Sequence, residues 1–371
     1  MPGLIWKGFR ALKILILKPS SLGDVIHALP VLRLLKSHLP QSRIYWWLDS
    51  HLKPLLEEDP DLAGVIAFDR KRWAAPHRWP EMLSSLQDMR AQHFDWAIDL
   101  QGLARSGIFA WLANADLTIG LDNTGAGSRE GARAFYDVTP PPAAANTHAV
   151  DRYLAVLPLL KVPVHRNFQW LPKRPEIAAQ IERKWNPGQG PWVVLLPGAR
   201  WDNKRWPAAN FVELARLMRG LGAFQFVILG GGGERELGQA IAEGNPGRCL
   251  NLAGQTSLWE MIEWVRRGRL VISNDTGPMH VAAALGRPVL ALFGPTNPRK
   301  TGPYGKPDSV MQINSLPCVP CLKPRCHYAV PMACLNGMTA LSVFARVREA
   351  LAAPATAGKG AGAGGRAPAV L

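Results

Sequence analysis

The sequence predicts an α/β protein built from two doubly wound parallel sheets. Three observations predict it. Short aliphatic runs alternate with helix-length segments, the alternation pauses at a proline-marked stretch and begins again, and small or charged residues cluster just after the strands. At 371 residues the chain can bury two separate cores.

Lys13–Leu17 is the first aliphatic strand. It breaks into a Pro-Ser-Ser-Leu-Gly-Asp loop and a helix from about Val25 to Ser37. Arg43–Leu48 and Val65–Phe68 read as the next strands, and Trp96–Leu100 as a fourth that runs into Gln101 and Gly102. Pro163, Pro172 and Pro175 mark a linker over residues 166–176, which divides the chain into expected domains 1–165 and 177–352. In the second, Trp192–Leu196, Gln225–Leu229, Leu270–Ser273 and Val289–Phe293 are strands. Ala208–Arg219, Arg235–Ala242 and Leu258–Arg267 fit as the helices between them. Residues 353–371 are rich in Ala, Gly and Pro without a hydrophobic period and read as a disordered tail.

The formal charge is +15, and it is uneven: 18 Lys/Arg stand against 16 Asp/Glu up to His165, and 25 against 12 from Arg166 onward. Such a field attracts nucleotide phosphates, nucleic acid or an anionic membrane. No helix-turn-helix or RNA-binding motif supports nucleic acid. No apolar run reaches the roughly 18 residues of a membrane span. Met1 to Leu12 lacks the apolar core of a secretory signal, so a cytoplasmic protein is expected.

Five constellations can carry chemistry. Ser273-Asn274-Asp275-Thr276-Gly277-Pro278-Met279-His280 joins a strand to a helix and brings backbone N–H groups, a hydroxyl and an imidazole to one point, as a phosphate or sugar site requires; an ordinary Asp/Thr helix cap uses the same residues. Lys18-Pro19-Ser20-Ser21-Leu22-Gly23-Asp24-Val25-Ile26-His27 offers close backbone approach at Gly23. Its carboxylate, Asp24, suits either a helix cap or a general base. Lys204 and Arg205, flanked by Trp201 and Trp206, precede a helix start, where anions are favoured. Gly230-Gly231-Gly232-Gly233-Glu234 lets a nucleotide lie on bare backbone, with Glu234 or Glu236 within reach of ribose hydroxyls. Arg70, Lys71, Arg72 and Arg78 alternate with Trp73 and Trp79, a mixture suited to an anionic acceptor. Separately, Cys318, Cys321, Cys326 and Cys334 have a spacing that allows structural zinc or iron, while Cys249 reads as core.

Taken together, Ser20 to Pro30, Asp99-Leu100-Gln101-Gly102, the Lys204 segment, Ser273 to His280 and Phe293-Gly294-Pro295-Thr296 resemble glycosyltransferase family 9, the ADP-heptose:lipopolysaccharide heptosyltransferases. The resemblance implies a GT-B architecture, two Rossmann-like domains facing across a cleft, with the acceptor on the N-terminal and the donor on the C-terminal domain. It implies Asp24 as the base and Lys204 as the cation at the leaving group. Glu234, Asp275, Thr276, Gly277 and His280 become donor-binding residues. Ser21, Gly23, Arg70, Lys71, Arg72, Arg78 and Gln101 become acceptor-binding residues. It further implies ADP-heptose as donor, a Kdo-lipid A type acceptor, no cofactor in catalysis, and work at the inner face of the cytoplasmic membrane. The cysteine cluster departs from the best-known members and leaves open another nucleotide sugar or a protein acceptor.

Overall fold

The central strands of both sheets are too apolar to face water on either side. A computed structural model describes residues 11–73, 75–122, 131–187 and 190–352, with the side chains of Arg70 and Lys71 also outside the description. The predicted tail, 353–371, falls outside it as well. The chain separates into two compact units, Met1–His165 and Arg166–Leu371.

In the first unit β1 (Lys13–Leu17), β2 (Arg43–Asp49), β3 (Gly64–Phe68), β4 (Trp96–Asp99) and β5 (Leu117–Gly120) form a sheet in the order β3-β2-β1-β4-β5. All of its pairings are parallel, with Leu17 level with both Trp47 and Asp99. Continuous apolar strands such as Ile14-Leu15-Ile16-Leu17 are what a sheet covered on both faces demands. One covering layer packs Met89, Phe94 and Ala110 onto Leu15, Leu17 and Trp47.

In the second unit β6 (Trp192–Leu196), β7 (Gln225–Ile228), β8 (Cys249–Asn251), β9 (Leu270–Asn274), β10 (Val289–Phe293) and β11 (Val310–Gln312) pair in the order β11-β10-β9-β6-β7-β8, again all parallel. The helices Ala208–Met218 and Ala340–Ala352 bring Phe211, Leu214, Val343 and Val347 into one core with Leu195, Ile272 and Leu292.

Three strands were not foreseen: β5, β8 and β11, all at sheet edges and only three or four residues long. The linker expectation also needs trimming, because a helix begins at Pro175 and Glu176 already lies in its first turn. The first helix starts at Leu22, earlier than expected.

In each sheet the winding direction reverses once, between β1 and β4 and between β6 and β9. Ligands of doubly wound sheets sit at the carboxyl ends of such strand pairs.

A second feature of the first unit is electrostatic. Arg33, on the helix Leu22–His38, forks onto Asp59 at 2.5 and 2.6 Å and reaches Asp61 at 2.7 Å, and both Arg33 and Asp59 are buried. Removing one partner strands a charge in the interior. Arg33→Met should therefore cost about 3 kcal/mol, read as a lower urea midpoint; an unchanged midpoint would show the pair to be dispensable.

Candidate active site

At the first reversal, Lys18 directly follows β1 and the next helix opens at the N-cap Ser21. Asp24 sits at the third helical position, and its Oδ2 accepts from both the backbone N–H and the hydroxyl of Ser21, each at 2.9 Å. The capping role open in the sequence is thus realised. The other oxygen is engaged differently. Asp24 Oδ1 lies 3.4 Å from the Tyr153 hydroxyl and 3.9 Å from Lys18 Nζ, and the carboxylate stays 40% exposed. Gly23 is buried in the same turn.

Lys18 is buried and donates to the Leu100 carbonyl at 3.1 Å, tying the ends of β1 and β4 together. Burial works against its charge, but Tyr153, Asp24 and Asp99 outweigh it and hold the ammonium above the ordinary lysine value. Asp99, at the end of β4, accepts from Gln101 N at 2.7 Å, Gly102 N at 3.2 Å and the Tyr136 hydroxyl at 2.7 Å. Burial nevertheless pushes its carboxyl up, with these bonds pulling the other way. Gln101 is therefore held by its backbone in a turn next to Lys18. Gly120 leaves the room that the Tyr136 ring fills, since a Cβ there would collide with the ring.

At the second reversal, the ends of β6 and β9 are stitched by Asn274. Its side chain donates to the Pro197 carbonyl at 2.7 Å and accepts from Trp206 N at 3.1 Å. Next along, Asp275 is buried and takes two bonds, Lys204 Nζ at 2.7 Å and Thr296 Oγ1 at 2.6 Å. The Lys204 ammonium also stands 4.7 Å over the Trp201 ring. The three predicted pieces, the Lys204 turn, the Asp275 loop and Thr296, thus meet at one point. Thr276 is the N-cap of the helix Gly277–Ala284, so the N–H groups beginning at Gly277 are at a helix start, and His280 is buried one turn in. Arg205 is used locally, donating to Ala199 O at 2.9 Å and pairing with Asp202.

Glu234 follows β7 and turns back to accept from Gly231 N. Its carboxylate lies across Gly198 and Gly230, where any Cβ would displace it. That places Glu234 beside the ends of β6 and β7, while Glu236 is an exposed helical residue.

The basic-aromatic segment is less charged than its composition suggests. Glu81, unremarked in the sequence, pairs with Arg72 at 2.7 Å and with Arg78 at 2.5 Å. The hydrogen bonds from these two arginines lower its carboxyl pKa. Trp79 and Leu83 stay more than half exposed on the following helix, Trp79–Ala91.

The metal expectation finds no support. Among the described residues no three His, Cys, Asp or Glu side chains converge as a metal group. Burial pushes the Cys334 thiol up, and the nearby Cys326, Cys318 and Cys321 push the same way. The segment instead packs as a brace: Leu322 N donates to Pro295 O at 2.8 Å, and Lys323 O accepts from Asn203 in the Lys204 turn at 2.9 Å. Cys249 is half-buried in β8, and burial raises its thiol to about 11.

Tyr153, Tyr136 and Glu81 were not singled out in the sequence. Lys18 and Thr296 were noted only within motifs.

Comparison with known proteins agrees with this geometry. Residues 82–330 match the family model for glycosyltransferase family 9 (heptosyltransferase). Lipopolysaccharide heptosyltransferase 1 of Pseudomonas aeruginosa is 32% identical over 323 residues, 85% of this chain and 88% of that protein. Lipopolysaccharide heptosyltransferase 2 of Escherichia coli is 27% identical over 317 residues, covering 81% and 88%. The structure of E. coli heptosyltransferase WaaC with ADP-2-deoxy-2-fluoro heptose superposes with a TM-score of 0.72 at 26% identity, over 91% of this chain and 99% of that one. A basic nucleic-acid binder, the rival reading of the charge, is set aside by the family match and the heptosyltransferase relatives. The chain belongs to glycosyltransferase family 9, the heptosyltransferase family.

Proposed function

We propose that this chain is an inverting glycosyltransferase that moves heptose from ADP-heptose to the Kdo/heptose inner core of lipopolysaccharide. The observation that carries the reading is the Lys204–Asp275–Thr296 group at the β6/β9 reversal of a family 9 chain. An ammonium has three N–H donors, and Asp275 occupies one, which fixes the nitrogen and leaves donors for phosphate oxygens. In this reading residues 1–165 serve the acceptor and residues 177–352 the donor. Glu234 takes the ribose hydroxyls, and His280 with the N–H groups after Thr276 borders the diphosphate and sugar.

Asp24 removes the proton of an acceptor hydroxyl as that oxygen attacks the anomeric carbon on the face opposite ADP. The C–O bond to ADP breaks and the configuration inverts. Negative charge grows on the departing diphosphate, where Lys204 and the helix start meet it. Ser21, Gly23 and Gln101 border the acceptor near Asp24, and Arg72 and Arg78, with Arg70 and Lys71 as the sequence suggests, are assigned to its anionic groups. The relative named heptosyltransferase 1 and the dense Arg70–Trp73 cations favour the first heptose addition. A different nucleotide sugar or a protein acceptor is the second reading, favoured by the cysteine segment braced against the Lys204 turn.

The described residues contain no helix long and apolar enough to cross a membrane. We infer peripheral contact with the inner face of the cytoplasmic membrane, supported by exposed Trp79 and Leu83 beside arginines.

ADP release from ADP-heptose should depend on a heptose-free Kdo-lipid A acceptor. Asp24→Asn should abolish it while ADP affinity stays near wild type; retained turnover would remove Asp24 as base. Lys204→Ala should lower kcat by about 10²–10³-fold, and an unchanged kcat would contradict the leaving-group role. Silence with ADP-heptose but turnover with another nucleotide sugar would establish the second reading. Trp79→Ser with Leu83→Ser should weaken co-sedimentation with anionic vesicles several-fold, and equal pelleting would exclude this face from membrane contact.

A further inference from the structure

The buried ammonium of Lys18 is expensive to place, and the fold spends three contacts on it. It donates to Leu100 O at 3.1 Å, stands 4.6 Å over the Tyr153 ring, and faces Asp24 Oδ1 at 3.9 Å. Two carboxylates help to hold that charge, Asp24 and Asp99. Asp99 is fully buried and bonded to Tyr136, Gln101 and Gly102, whereas Asp24 stays partly open to solvent.

The two oxygens of Asp24 divide the work. Oδ2 is held in short bonds by Ser21, as a cap. Oδ1 instead faces the Tyr153 hydroxyl at 3.4 Å and the Lys18 ammonium at 3.9 Å, and the carboxylate is 40% exposed.

We propose that Lys18 and Tyr153 are positioning residues for the Asp24 base, holding Oδ1 toward the acceptor and keeping the carboxylate ionised at neutral pH. The proposal rests on the reading of Asp24 as base. Tyr153 is buried, and burial pushes its phenol up, so its hydroxyl stays protonated and donates to Asp24. Other groups nearby are already engaged or more remote in their effect. His27, on the same helix, packs edge-on to His148, and Asp49 at the end of β2 pairs with His51. Arg152 acts on Tyr153 and opposes the effect of burial there.

An opposite charge at this range lowers a carboxyl pKa by about 1–3 units, and removing it gives that shift back. The sign follows. Without the ammonium Asp24 binds its proton at higher pH, so the acidic limb of kcat/KM moves upward and activity lost at neutral pH returns as pH rises. Lys18→Met should move that limb up by about one unit, with KM for the donor unchanged, and Lys18→Arg should restore the wild-type limb. Tyr153→Phe should shift it in the same direction by less. A folded Lys18→Met with low kcat and an unmoved limb would reduce Lys18 to a structural strut and overturn the proposal. Where Lys18→Met does not fold, Tyr153→Phe decides: an upward shift supports the proposal and an unmoved limb overturns it. Full turnover in Asp24→Asn would instead sink the base reading itself, a separate failure.

Discussion

A parallel sheet that reverses its winding leaves two strand ends side by side with no connection passing over them. The polar groups there must find partners in the fold or in a ligand. Both units of this protein solve the problem with side chains that tie the two strand ends together while staying charged. Lys18 reaches from β1 to the carbonyl after β4, and Lys204 reaches from the turn after β6 to the carboxylate after β9. Each tie fixes a cation at a strand end, and the chemistry then has a defined electrostatic frame to work in.

The two frames are charged differently. In the first unit the cation is sealed in and acts on a carboxylate that stays partly open to solvent. In the second the carboxylate is sealed in, and the lysine is the more accessible partner. Under the proposed function, the first arrangement presents a proton acceptor outward and the second a cation for phosphate. Glu234 adds a second carboxylate to the donor side, yet it lies over bare glycine backbone on the β6 and β7 side of the sheet, away from Lys204's pairing with Asp275.

Much of this was legible in the residues. Four- and five-residue aliphatic runs can only be strands buried on both faces, so the centre of each sheet was readable. The edge strands β5, β8 and β11 were not, because three or four residues carry too short a pattern. Asp24, Lys204 and Asp275 stood out because each closes a strand-to-helix loop. Tyr153 did not, since it is an ordinary helical tyrosine 129 residues from the carboxylate it meets. Glu81 was invisible for another reason: counting cations in Arg70–Arg78 says nothing about an acid just beyond the segment that turns back on two of them. The cysteines show the converse, a spacing that suggested ligands but packs as a brace.

That brace has a consequence for how the protein is made. The turn carrying Lys204 is anchored by Asn203 to Lys323, by the Trp206 indole to Met338, and by Asn210 to the same carbonyl, across 120, 132 and 128 residues. By the time a ribosome has delivered β6 through β10, the centre of the second sheet can assemble. Asn274 and Asp275 already hold the turn at that stage, but these three later anchors are still missing. Under the proposed function, the full set of contacts behind the diphosphate site is complete only late in synthesis, after most of the sheet that supports it.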